Sequence, residues 1–319
     1  MTNYKFQIKS LMSKSKCQNY KIRNLGFVIL LGIWILTFVI LPIACSKPKK
    51  ETQNKRVISL VPSITEIVFA LGKESLLVGN TIYCDFPEGA KQLYKVGDFS
   101  SPSLEKILKR KPILVLATLP EQKTIVEQLK QNKIPVYTSR PRTVDSVLIE
   151  ILEIGKLLDA SEKAQVLVTA LKNKLAEIGQ RNPNIIDSPK VYIEISATPI
   201  MTVGNLSYIN DLIRYAGAKN VFSDIDREYI VTNSEELIAR NPDVILILHP
   251  SARKAQVRKR LGWSQITAVK KGRIYDMLSD DAGKSITLNP DYFFRPGPRF
   301  IYGVEDLANI LKGIWGKRK

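Results

Sequence analysis

Short apolar runs alternate with helical repeats along this chain, and that alternation limits the fold more than any other feature. VISLV at 57–61 is continuously apolar, as a strand covered on both faces would be. Pro62 and Ser63 follow, then Ile64, Ile67, Val68 and Leu71 at helical spacing, closed by Gly72. Ser63 and Glu66 have the spacing of a capping box, and Gly72 stands where a left-handed C-cap belongs. The same order returns as a strand at 113–117, a helix at 121–132 and a strand at 136–138. It returns again as strands at 191–195, 244–248 and 273–277 with helices at 207–216 and 252–261. Helices between consecutive buried strands imply parallel sheets, hence an α/β fold.

Residues 143–180 break the pattern. Val144, Val147, Leu148, Ile151 and Leu152, then Val166, Leu167, Leu171, Leu175 and Ile178, fall at helical spacing with a break near Asp159. A helix from Ser161 to Gln180 would be about 30 Å long and would join two lobes as a stiff strut. The flanking regions share a pattern. SLEKILKRKPILVL (103–116) laid over NSEELIARNPDVIL (233–246) puts Glu105 over Glu235 and Pro112 over Pro242, as two lobes built alike would do. The expected organisation is a leader at 1–44, a tether at 45–55, a first α/β lobe at 56–142, connecting helices at 143–181 and a second α/β lobe at 182–319.

Charge locates the leader. Of the formal excess of 18 positive charges, half lies in residues 1–55, with ten basic residues against one acid. Six Lys or Arg precede residues 25–43, a 19-residue stretch without a charge, which reads as an export signal or a membrane anchor. Leu41-Pro42-Ile43-Ala44-Cys45 resembles a bacterial lipoprotein cleavage box in which Cys45 would be acylated, although Pro42 stands where Leu is usual. An uncleaved N-terminal helix is the alternative. Either reading places the remainder outside the cytoplasmic membrane.

Several function classes are excluded. His249 is the single histidine, which rules out a His-rich metal site, and three cysteines form neither a zinc cluster nor a disulfide framework. Gly283-Lys284-Ser285 mimics the end of a phosphate loop, but Leu278 occupies the place of the required earlier glycine. With no GxSxG motif either, neither an enzyme nor a catalytic residue or resident cofactor is expected. The basic run Arg253, Lys254, Arg258, Lys259, Arg260 reads as a solvated helix face, with no nucleic-acid partner.

Five segments taken together carry a resemblance: RVISLVPSITEIVFALG (56–72), YCDFPEGAK (83–91), VGDFSSPSLEKILKRKP (96–112), EELIARNPDVILI (235–247) and RPGPRFIYGVEDLANIL (295–311). They look like the substrate-binding proteins of ABC importers for cobalamin, haem and ferric siderophores, and most resemble the cobalamin branch. The resemblance implies a class III periplasmic-binding-protein fold, with two Rossmann-like lobes, parallel sheets and one long rigid interdomain helix. It also implies a monomer that holds a corrinoid in the interlobe cleft and docks on a permease dimer with its ATPase. Haem or a ferric siderophore is the alternative ligand, and an adhesion or sensing lipoprotein the alternative of another class.

A wide flat macrocycle calls for aromatic faces and a few donors. By position in the family, Tyr83 and Phe99 match first-lobe aromatic contacts and Tyr292 a second-lobe one. Trp263 lies near another, in a setting that also suits packing. Thr118 and Met201 stand where cobalamin binders of this type can carry Trp and Phe. Arg295 would grip a ligand oxygen through its fork, or be solvated, with Arg299 capping a lobe. If haem were bound, His249 or a Tyr would be wanted as axial donor. Glu105 and Glu235 correspond to the acids that dock on permease arginines in the family.

Overall fold

Side chains along each central strand alternate between two cores, and from that alternation the architecture follows. In this computed structural model, residues 55–181, 188–277 and 288–315 are described. The leader, Cys45 and the Gly283-Lys284-Ser285 stretch lie outside them.

The first sheet comprises β1 (Val57–Ser59), β2 (Leu77–Asn80), β3 (Leu114–Thr118) and β4 (Val136–Ser139), in the order β2-β1-β3-β4. All of its pairs are parallel. The second contains β5 (Lys190–Glu194), and, after the short strands β6 (Ser196–Ala197) and β7 (Ile200–Val203), also β8 (Lys219–Asn220). After β9 (Tyr229–Val231), it adds β10 (Val244–Ile247) and β11 (Ile274–Tyr275), giving the order β11-β10-β5-β8, again parallel. Strands β6, β7 and β9 form a small antiparallel sheet that periodicity did not indicate, because two- to four-residue strands are too short to show a period.

Helix α1 (Pro62–Ala70) follows β1, α2 (Leu104–Lys109) precedes β3, and α3 (Lys123–Gln131) follows it. Helices α4 (Val144–Leu157) and α5 (Ser161–Arg181) link the sheets, with Asp159 in left-handed backbone at the break. In the second half come α6 (Tyr208–Tyr215), α7 (Ser234–Arg240), α8 (Asp291–Phe294) and α9 (Phe300–Trp315). The helix expected over 252–261 is a single turn, Lys254–Val257, because Arg260 leaves the surface to reach a buried acid.

One core runs through the molecule. It joins Val57 and Leu116 of the first sheet, Val147, Ile151, Leu171, Leu175 and Ile178 of α4 and α5, and Val191, Val244 and Leu246 of the second sheet. The alternate residues face separate cores: Ile58, Val115 and Ala117 in the first half, Tyr192, Ile245 and Ile247 in the second. Each sheet thus has one face on the helix pair and one on its own outer layer, the period-two consequence of pleating.

The shared sequence pattern is matched residue by residue. Ser103 caps α2 by accepting from the Lys106 N–H, and Asn233 caps α7 by accepting from the Glu236 N–H. Lys111 and Asn241, each just before the paired proline, both have φ 47°. Gly72 has φ +63°, as its cap position predicts. The capping box at Ser63 does not form: α1 starts at Pro62 with Val61 as its cap, since Pro fits the first turn without needing an N–H partner. Glu66 is thereby left for another partner.

Candidate functional site

The carboxyl ends of β1, β3 and β4 open onto a cavity of about 460 Å³, the position at which open parallel sheets present ligand sites. The first half contributes residues 61–64 after β1, Thr118 at the end of β3 and residues 139–142 at the end of β4. Tyr83, Phe99 and Glu121 join them. The second half contributes residues 207–209 at the start of α6, Glu228, Tyr229 and residues 293–296. Glu150 of α4 is also in the lining.

Two polar side chains, one buried and one partly buried, hold the aromatic loops in place. Gln122 is 1% exposed; its Nε2 donates to the carbonyls of Phe99 at 2.7 Å and Leu60 at 3.1 Å, and its Oε1 accepts from the Thr118 N–H at 3.0 Å. The loop carrying Tyr83 wraps the Lys95 ammonium, which donates to Asn80 Oδ1 at 2.8 Å and to the carbonyls of Ala90, Cys84 and Thr81 at 3.0 to 3.3 Å. Partial burial lowers the Lys95 pKa, with Cys84 and Asp85 opposing. Tyr83 is about half exposed and Cys84 fully buried.

The guanidinium groups around the cavity are already paired. Arg140 meets Glu228 at 2.7 Å and Glu121 at 3.3 Å, and Arg142 meets Glu228 at 3.1 Å. Arg295 contacts Asp85 at 2.6 Å, Asp291 at 3.0 Å and Glu66 at 3.5 Å. Arg299 forms a bidentate pair with Glu66 and sits 4.0 Å from the centre of the Phe86 ring. By contrast, both carboxyl oxygens of Glu150 and the hydroxyl of Tyr208 are buried without a hydrogen-bond partner. Burial pushes the Glu150 carboxyl up to about 7; the nearby Ser139 hydroxyl works against that rise and Glu153 adds to it. Burial likewise holds the Tyr208 hydroxyl well above its usual range.

Of the residues singled out from sequence, Tyr83, Phe99, Arg295 and Thr118 line the cavity, whereas Trp263, Tyr292 and Met201 do not. Trp263 is fully buried in the outer core of the second half, edge-on to Tyr192, with Nε1 donating to Ser234. A ring so placed serves packing. Tyr292 lies against Tyr302 at 5.4 Å, and its neighbours Phe293 and Phe294 face the cavity instead, Phe294 being 39% exposed. Arg299 is buried outside the cavity lining, held by Glu66.

His249 is buried outside the cavity lining. Its Nε2 pairs with Glu194 at 3.0 Å, and its Nδ1 accepts from the Ser251 N–H. Arg260 closes the same cluster by gripping Glu194 with both ends of its fork. Glu105 and Glu235 are both exposed, each in the first turn of its helix, while Glu236 is held by Thr232 and Arg240. Among the described residues, no group of acids, cysteines and histidine forms a metal site, and no helix is long and apolar enough to cross a membrane.

Sequence reading passed over Glu150, Tyr208, Arg140, Arg142, Glu228, Tyr229 and Phe294. For Glu150 a signal existed: it follows Val147 by three and precedes Ile154 by four, so it falls on the apolar stripe of α4. An acid there is either paired or waiting for a partner.

Comparison with known proteins gives consistent relatives. The profile of a family described as "Periplasmic binding protein" matches residues 57–280. The chain is 36% identical over 270 residues to an uncharacterized ABC transporter substrate-binding lipoprotein, YvrC, of Bacillus subtilis, covering 82% of this chain and 81% of that one. Among solved structures, a possible iron-binding (periplasmic solute-binding) protein from Staphylococcus epidermidis is 29% identical at a TM-score of 0.69, covering 81% of this chain and 98% of the other. The periplasmic vitamin B12-binding protein BtuF of Vibrio cholerae is 25% identical at a TM-score of 0.68, with 83% and 98% covered.

Proposed function

This chain belongs to the periplasmic binding protein family, the substrate-binding components of ABC importers, and from that premise we propose that it captures a corrinoid, cobalamin foremost, in the cavity between its sheets and delivers it to a permease. The family consists of transport components, not enzymes. The observation that carries the reading is a cavity with Tyr83, Phe99 and Phe294 on its walls, placed at the strand ends of one half and roofed by the other. Such rings suit a flat macrocycle. The B12-binding relative supports the choice of corrinoid.

Because α4 and α5 share one core with both sheets, the site is largely preformed, and little ordering entropy has to be met on binding. The exposed Glu105 and Glu235, at equivalent places in the two halves, are the proposed contacts to a permease dimer with its ATPase. Exposed pairs of this kind contribute about 0 to 1 kcal/mol each, so they set register more than affinity. A lipidated Cys45 would hold the protein on the outer side of the membrane, as the lipoprotein relative suggests.

A second reading, haem or a ferric siderophore, is favoured by the relative described as possibly iron-binding. Titrating residues 46–319 with cyanocobalamin, cobinamide, haemin and a ferric hydroxamate separates the two. One corrinoid per chain with quenching of Tyr and Trp emission is expected. Binding of an iron ligand with failure of both corrinoids would end the cobalamin assignment and leave the family untouched.

A further inference from the structure

The Glu150 carboxyl is the group in the cavity that the fold itself leaves unserved. Helix α4 carries it among Val147, Ile151 and Ile154, all of which face the common core. It is 2% exposed, lines the cavity, and neither of its oxygens has a hydrogen-bond partner. A carboxylate held away from water in apolar surroundings carries a large desolvation penalty unless something donates to it. The Ser139 hydroxyl comes near enough to oppose the effect of burial on its titration, and it leaves most of the carboxyl's capacity to accept hydrogen bonds unused. Tyr208 adds a second buried, unpartnered polar atom to the same lining.

The positive groups offer no counterpart. Arg140 and Arg142 are bound to Glu228, and Arg295 is surrounded by Asp85, Asp291 and Glu66. The lining therefore has an unused acceptor, while each of its guanidinium groups is already engaged. A ligand edged with carboxylates would compete with Glu228, Asp85 and Asp291 for the guanidinium groups and would then lie beside Glu150. A ligand edged with amides would supply the missing donor without competing for a guanidinium group.

We infer that Glu150 selects the ligand: its carboxyl accepts a hydrogen bond from an N–H on the ligand's edge, so the cavity takes a neutral, amide-bearing molecule over one edged with carboxylates or catecholates. This rests on the cavity being the ligand site, as proposed above, but not on the ligand being a corrinoid.

The test compares five probes by equilibrium titration: cyanocobalamin, cobinamide, a neutral ferric trihydroxamate with peptide N–H groups, haemin, and a ferric tricatecholate. Wild type should prefer one of the first three to both anionic probes. Glu150→Met, apolar and of similar length, should cut that preference about tenfold or more, and Glu150→Gln, which keeps an accepting oxygen, should fall between. Neither variant threatens folding, since both remove a buried acid, and melting at pH 8 verifies this. If the trihydroxamate binds in a Glu150-dependent way while the corrinoids fail, the inference stands and the cobalamin reading falls. If haemin or the tricatecholate is preferred, or if Glu150→Met leaves the preference unchanged, the inference is overturned and the cavity remains the ligand site. If none of the five binds, both fall.

Discussion

Arg299 grips Glu66 from 233 residues away, with Nε donating to Oε2 at 2.7 Å and Nη2 to Oε1 at 2.5 Å, and the two side chains are almost fully buried. Glu66 lies in α1 and Arg299 immediately precedes α9, so the pair ties the first half of the molecule to α9. Arg295 extends the network to Asp85, two residues after Tyr83.

Breaking this pair one-sidedly should be costly. Arg299→Met leaves Glu66 buried with only Arg295, at 3.5 Å, nearby, and a loss of about 3 to 5 kcal/mol is expected from urea unfolding. Replacing both partners, as Glu66→Met with Arg299→Met, should cost much less. A double variant as unstable as the single would show that the pair does more than cancel its own charges.

Glu150 gives a pH prediction. An acid raised from an ordinary 4.5 to about 7 in the folded state binds a proton there that the unfolded chain has already released. Stability should therefore fall as pH rises from about 4.5 to 7 and level off above, by an amount on the order of 3 kcal/mol. Glu150→Gln lacks this penalty. The stability of the variant minus that of wild type, followed by urea unfolding across pH 4 to 8, should start near zero and grow with pH. A flat difference would contradict the burial argument.

Trp263 separates packing from binding. Trp263→Ala should lower stability by about 3 to 5 kcal/mol, because a fully buried indole leaves a large void. A milder variant, Trp263→Phe, should leave the ligand affinity of the folded protein unchanged by titration. A marked loss of affinity in that variant would place the ring at the site after all.

Charge reversal tests the docking residues. Glu105→Lys and Glu235→Lys should each reduce ligand-dependent ATPase stimulation, in vesicles holding the cognate permease, about two- to fivefold, with ligand affinity unchanged. Equal loss of ligand affinity would instead indicate damage to the fold.

The parallel strands were legible because continuous apolar runs such as VILI at 244–247 have no other use in a chain with this alternation. The repeated helix, proline turn and strand at 103–116 and 233–246 were legible because they are local devices; the caps at Ser103 and Asn233 that open the two helices were not read from the sequence. Local reading fails where a side chain answers to a distant one. Glu66 looked like part of a cap, yet it belongs to Arg299 across the molecule. For Trp263 the sequence left a ligand contact and a packing role open, and the ring lies edge-on to Tyr192 with its N–H on Ser234. Tyr83 and Phe99 were found through the resemblance, which fixes positions; Phe294 was missed because the turn from Pro290 to Phe294 rotates it, and not Tyr292, toward the cavity. Glu150 escaped because one acid in an amphipathic helix is normally solvent-facing, although its place on the apolar stripe between Val147 and Ile154 was a sign that it is not.

Leu171, Leu175 and Ile178 belong to one buried cluster that takes in residues of both halves, so neither half owns the layer that stabilises it. Heating should consequently melt the described body in a single cooperative step, and a fragment ending after β4 should collapse without a fixed tertiary arrangement. For a substrate-binding protein outside the cytoplasmic membrane this means that a protease finds no separately loosened half to attack.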